Sequence, residues 1–138
     1  MSAPHALAGY LPHRPPMLLL DRIDEVTADR VTCSTTLRAD CIFVRDGIVH
    51  ASAMLEVVAQ ACAIHANAGA HTEKPRPGML ISCREATLYV ETFAVGDELT
   101  ITATRLTSAA PLTTFDATVH RRDELCVRLQ LSVMEGAA

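Results

Sequence analysis

The sequence is poor in aromatic residues and in clustered positive charge. It holds no tryptophan, two tyrosines and three phenylalanines, and Arg121-Arg122 is its one adjacent basic pair within a net charge of -4. Binding nucleic acid by neutralising phosphates or stacking bases needs both features, so that class is excluded. The five cysteines (Cys33, Cys41, Cys62, Cys83, Cys126) are an odd number without C-x-x-C spacing, and three lie inside apolar runs. They read as buried free thiols of a reducing cytoplasm rather than as a disulfide framework. His65, His71 and His120 show no metal-ligand spacing with one another or with cysteine, and no metal is expected. The N-terminus lacks a basic segment followed by an apolar core, so no signal peptide is expected. Internal repeats, linkers and low-complexity segments are missing too.

What is present suffices for one globular domain. The chain has 138 residues, 49% hydrophobic and 20% charged, with residues 1–10 expected to form a loose arm. The stretch from His50 to Gly69 is rich in helix formers and small residues, contains no proline and ends on glycine. It is apolar nearly all the way round, so this helix must be wrapped by other structure. Glu56, Gln60 and His65 interrupt it, which argues against a membrane span. Glu56 and Gln60 are one turn apart on the same face. A carboxylate in such a helix is costly unless it is paired, protonated or used.

Residues 17–26 begin with the apolar Met17-Leu-Leu-Leu20 and read as a strand. Val31, Cys33, Thr35 and Leu37 alternate in a second, joined to the first across Thr27-Ala-Asp29. Residues 38–48 are irregular, with Asp46-Gly47 a turn signal before the helix. Beyond the helix, Lys74-Pro-Arg-Pro-Gly78 reads as a loop. Strands follow at residues 79–91 and 98–106, around Phe115, Ala117 and Val119, and along Leu125, Val127, Leu129, Leu131 and Val133. The order β-β-α-β-β-β-β predicts an α+β fold, a curved antiparallel sheet of about six strands around one central helix. Such a sheet leaves an edge strand that a dimer would cover.

This pattern resembles the hotdog fold, and two motifs narrow the resemblance. Leu11-Pro-His-Arg-Pro-Pro-Met-Leu-Leu-Leu-Asp-Arg22 is similar to the N-terminal signature of the 3-hydroxyacyl-(acyl carrier protein) dehydratases. Leu55-Glu-Val-Val-Ala-Gln60 is similar to the L-E-x-x-A-Q core of their central helix. The Asp46-Gly47 approach and Gly78-Met-Leu-Ile-Ser-Cys-Arg84 further resemble the dehydratase-like proteins of aryl-polyene clusters.

The resemblance implies a chemistry. A base removes the proton beside a thioester carbonyl, an acid protonates the leaving hydroxyl, and donors hold charge on the carbonyl oxygen. It places the acid at Glu56, where an apolar surround would favour the protonated form. The oxyanion donor falls on the N–H of Ala51 at the helix start. Gln60, Arg84 and His13 join as substrate-binding positions. Arg84 either pairs with a carboxylate such as Asp21, meets the pantetheine or acyl group, or reaches solvent; His13 fixes the N-terminal arm. The family's base, the histidine of G-H-F-P, falls on Ile42, and no histidine lies between His13 and His50. His50 is the remaining candidate, either reaching substrate from the loop or merely shaping the helix start.

Hotdog dehydratases build each site from two subunits, with the base from one and the acid from the other. The resemblance therefore implies a dehydratase component of polyene or fatty-acid-type synthesis, a lyase of the cytoplasm, paired as a heterodimer with a His-bearing homologue; a homodimer stays open. The implied partner is an acyl carrier protein. No cofactor is expected beyond the phosphopantetheine that carries the substrate. Two alternatives stay open: a thioesterase using Glu56 and Ala51, and a non-catalytic acyl-binding or stabilising subunit.

Overall fold

The computed structural model describes residues 10–11, 14–68, 78–109 and 111–135. Strands β1 (Arg22–Val26) and β2 (Arg30–Thr36) form the expected hairpin. The apolar run 17–20 before them is not strand; it is irregular chain. Leu19 and Leu20 are buried, which satisfies the run's hydrophobicity without a ladder. The expected loop at residues 74–77 lies outside the described residues.

A short strand that periodicity did not disclose, β3 (Ile48–His50), leads into a 3-10 turn at Ala51–Ala53 and helix α1 (Met54–Ala68). The turn before β3 is a two-residue hairpin. Asp46 and Gly47 both have positive φ, 53° and 78°, and Arg45 and Ile48 exchange backbone hydrogen bonds of 2.8 and 3.0 Å. β4 (Gly78–Leu88) follows, then β5 (Thr92–Ala94), β6 (Glu98–Ala109), β7 (Leu112–Arg121) and β8 (Glu124–Glu135). The main sheet is antiparallel with order β1-β2-β6-β7-β8-β4; β3 and β5 make a separate two-stranded ribbon.

The alternating residues of β6, β7 and β8 explain the core. Leu99, Ile101, Ala103, Phe115, Ala117, Val119, Val127, Leu129 and Leu131 are all buried against α1, which presents Met54, Val57, Val58, Ala61, Cys62 and Ile64. The helix packs against β2, β4, β6, β7 and β8, so it is surrounded as its apolar circumference requires. All five cysteines are free; Cys33, Cys62 and Cys126 are buried, while Cys83 is exposed.

The free edge beyond β8 is β4. Every described side chain from Leu80 to Tyr89 is exposed, including the apolar Leu80, Leu88 and Tyr89. Register shifts between Leu80 and Ser82 and between Cys83 and Glu85 distort the strand without covering it.

Candidate functional site

Glu56 sits half-buried in the first turn of α1, and its orientation is set from one turn further on. Gln60 Nε2 donates to Glu56 Oε1 at 3.2 Å and to the carbonyl of Met17 at 2.7 Å. Gln60 Oε1 accepts the N–H of Leu19 at 3.0 Å. Gln60, only 1% exposed, therefore straps the irregular run 17–20 onto the helix and steadies the carboxylate. It was expected to contact substrate; its amide is instead spent inside the protein, where a buried amide must satisfy its own donors and acceptor.

Glu56 opens into a cavity of about 370 Å³. His50, Ser52 and Glu56 supply its polar side chains, and Phe43, Leu55 and Leu80 its apolar walls. The cavity thus joins the helix, the loop before it and the exposed edge strand. His50 and Glu56, which helical periodicity would put on different faces, meet here because His50 precedes the helix in β3. Phe43, Ser52 and Leu80 were not singled out from the sequence. Their one legible signal was position, beside Ile42, beside His50 and inside the Gly78-to-Arg84 motif.

The expected oxyanion donor is already engaged. Ala51 N–H donates to the carbonyl of Glu91 at 2.8 Å, continuing the β3–β5 ladder one step past the His50–Thr92 pair. Ala51 is also fully buried, so neither its N–H nor its methyl can meet a ligand. In the single chain the N–H that the resemblance implies as oxyanion donor thus points to Glu91.

His50 caps the helix start. Its Nδ1 accepts the N–H of Ser52 at 3.1 Å and lies 2.9 Å from Ser52 Oγ. Ile42 is half-buried and packs on the core, and unlike Phe43 it does not line the Glu56 cavity. Arg84 lies in the β4 irregularity with its side chain exposed. It does not pair with Asp21, whose carboxylate takes the Arg38 guanidinium at 2.6 Å and the Thr36 N–H at 2.8 Å. His13 lies outside the described residues.

A second cavity, of about 210 Å³, lies on the far side of Phe43 and Ala53, which wall both spaces. Leu18, Leu20, Leu37, Met54 and Val57 make it largely apolar. Among the described residues no group of three or more His, Cys, Asp or Glu could hold a metal ion. No helix among them is long and apolar enough to cross a membrane.

A helix wrapped by an antiparallel sheet, with a carboxylate at the helix start facing an open edge, defines a hotdog protein of the dehydratase kind. The ApeP-like family, described as ApeP dehydratase, matches residues 5–138, and this chain belongs to it. Among solved structures, the chain is similar to the dehydratase heterocomplex ApeI:P from Xenorhabdus doucetiae, at 24% identity and a TM-score of 0.89, covering 99% of this chain and 93% of that one. It also resembles a hypothetical thioesterase with coenzyme A from Streptococcus pneumoniae (12% identity, TM-score 0.63, covering 83% and 84%). The PaaI protein of the E. coli phenylacetic acid degradation operon is similar at 13% identity and TM-score 0.64, covering 81% of this chain and 80% of that one. At these identities the likenesses establish the fold. No curated protein matches the sequence.

Proposed function

We propose that this chain is the acid-bearing subunit of a dehydratase for 3-hydroxyacyl groups carried on the phosphopantetheine of an acyl carrier protein, working as a heterodimer with a subunit that brings the histidine base. The observation that carries this reading is that the Glu56 cavity ends on Leu80 of an exposed edge strand while Ile42 stands where the base would be. The site has an acid and an open side, and the open side is where a second hotdog chain would add its loop. The similarity to a structure described as a dehydratase heterocomplex supports the same pairing.

In this mechanism the partner's histidine takes the proton from the carbon beside the thioester carbonyl. The electron pair left behind forms the double bond and expels the hydroxyl, which leaves as water with the proton of Glu56. Gln60 Nε2 donates to Oε1 and so orients the carboxyl group that gives up this proton. The two protons then exchange through solvent to reset the histidine and the carboxyl. Ala51 N–H, held by Glu91, is equally unavailable to a dehydratase and to a thioesterase, so the choice between them rests on the open edge and the family match.

Mass measurement of the acyl-carrier substrate tests this reading. The complex with a His-bearing partner should remove one water per acyl chain, and Glu56→Gln should reduce the rate about 10²–10⁴-fold, as expected for loss of a general acid. Release of free pantetheine thiol in place of water would show a thioesterase. Unchanged water loss in Glu56→Gln would show a non-catalytic subunit.

A further inference from the structure

We propose that His50 binds the thioester carbonyl oxygen of the acyl ligand through its Nε2–H, in place of the backbone N–H that Ala51 gives to Glu91. The inference rests on the dehydratase reading for the ligand being an acyl thioester, and on geometry for the rest.

The cap fixes the tautomer. Ser52 N–H can only donate, so the nitrogen it meets at 3.1 Å, His50 Nδ1, must present a lone pair. Ser52 Oγ at 2.9 Å from the same nitrogen is then a second donor. A neutral imidazole that accepts at Nδ1 carries its proton on Nε2. Placing the proton on Nδ1, as a base working through Nε2 needs, would set two N–H groups against each other and break the cap. His50 is thus held as a hydrogen-bond donor and is poorly suited to abstract a proton.

The ring that carries the donor borders the Glu56 cavity. Nε2 has no hydrogen-bond partner among the described residues, and the exposed ring lines the same cavity as Glu56. Phe43, Leu55 and Leu80 give that cavity apolar walls for an acyl group beside the donor. Charge grows on the carbonyl oxygen as the neighbouring proton is removed, and a donor fixed beforehand stabilises that charge more than the ground state. Ser52 is then a positioning residue that holds the ring in its donor form.

The test uses the full chain and a saturated acyl-pantetheine, which lacks the hydroxyl and cannot be dehydrated, labelled with carbon-13 at the thioester carbonyl. Its infrared carbonyl band should move to lower frequency on binding to wild type and to Glu56→Gln. It should return to the free-ligand position in His50→Asn, whose short side-chain oxygen still caps Ser52 N–H but lacks the ring's reach. Nitrogen-15 spectra of wild type should show an unprotonated Nδ1 and a protonated Nε2. In the partner complex His50→Asn should slow dehydration about 10²–10³-fold, the scale of a lost oxyanion donor. A retained band shift in His50→Asn, or a proton on Nδ1, overturns the assignment. Binding without any band shift overturns it alone, leaving the dehydratase reading intact; failure of wild type to bind the thioester both alone and in the partner complex overturns both.

Discussion

Gln60 Nε2 lies 3.2 Å from Glu56 Oε1 while the same amide holds Met17 and Leu19. One buried side chain therefore couples the Glu56 carboxylate to the N-terminal segment. The L-E-x-x-A-Q pattern gains a physical meaning: the glutamine is spaced one turn from the acid so that it can orient it from below.

Removing that amide should cost stability. Gln60→Leu leaves Leu19 N–H buried without a partner, at about 1–3 kcal/mol, and releases the Met17 carbonyl of an exposed residue at smaller cost. Urea denaturation should show a lower midpoint with an unchanged slope. A variant as stable as wild type would mean that the 17–20 segment is held by other contacts.

The pH profile of stability should fall on both sides of neutrality. Burial pushes the Cys33 thiol up from 9.0 to about 12, with Asp24 adding to the shift, and burial raises Cys62 as well. Between pH 9.0 and about 12 the unfolded chain releases protons that the folded chain keeps, so stability drops there by about 1.4 kcal/mol per pH unit for each such thiol. On the acid side, burial lowers the pKa of His65, with Arg105 contributing, against hydrogen bonding to Ala28 and the charge of Asp29. The unfolded chain then binds the proton first, and stability decreases as pH falls below 6.5. Thermal melts from pH 5 to 10 should show this plateau, and Cys33→Ala should soften the alkaline limb.

Thiol labelling should report the edge strand. Cys83 is exposed on β4, whereas Cys33, Cys62 and Cys126 are buried, so iodoacetamide should modify Cys83 in the isolated native chain and leave those three untouched. A partner seated on β4 should slow that reaction. Leu80→Glu, which places a charge on the exposed edge and in the cavity wall, should weaken the complex and restore labelling.

Phe43, with Ala53, lines both cavities, and its ring is the larger of the two shared side chains. Phe43→Ala should join them and move the preferred acyl chain towards greater length, measured as relative kcat/KM across a chain-length series in the partner complex. A proportional loss for every length would assign Phe43 a packing role only.

The features legible in the sequence were those with local periodicity. The wrapped helix, the alternating strands β6 to β8 and the Asp46-Gly47 turn each follow from residues close in sequence. The misreadings came from non-local hydrogen bonds. Residues 17–20 form an apolar run compatible with any buried segment, and only the distant Gln60 decides its conformation. Ala51 keeps its place at the helix start, but its N–H is consumed by Glu91, from a ribbon whose strands are too short to show alternation. Glu56 was legible as an apolar helix's unexplained carboxylate, while the role of His50 depended on which ring nitrogen Ser52 reaches.

The most direct test of the central claim is complementation. This chain is mixed with a His-bearing partner whose own helix acid has been removed, and loss of water from a 3-hydroxyacyl carrier protein is followed by mass. The account predicts no reaction from either chain alone, turnover from the mixture, and none when the mixture contains Glu56→Gln. Turnover by this chain alone, or by the Glu56→Gln mixture, would contradict it.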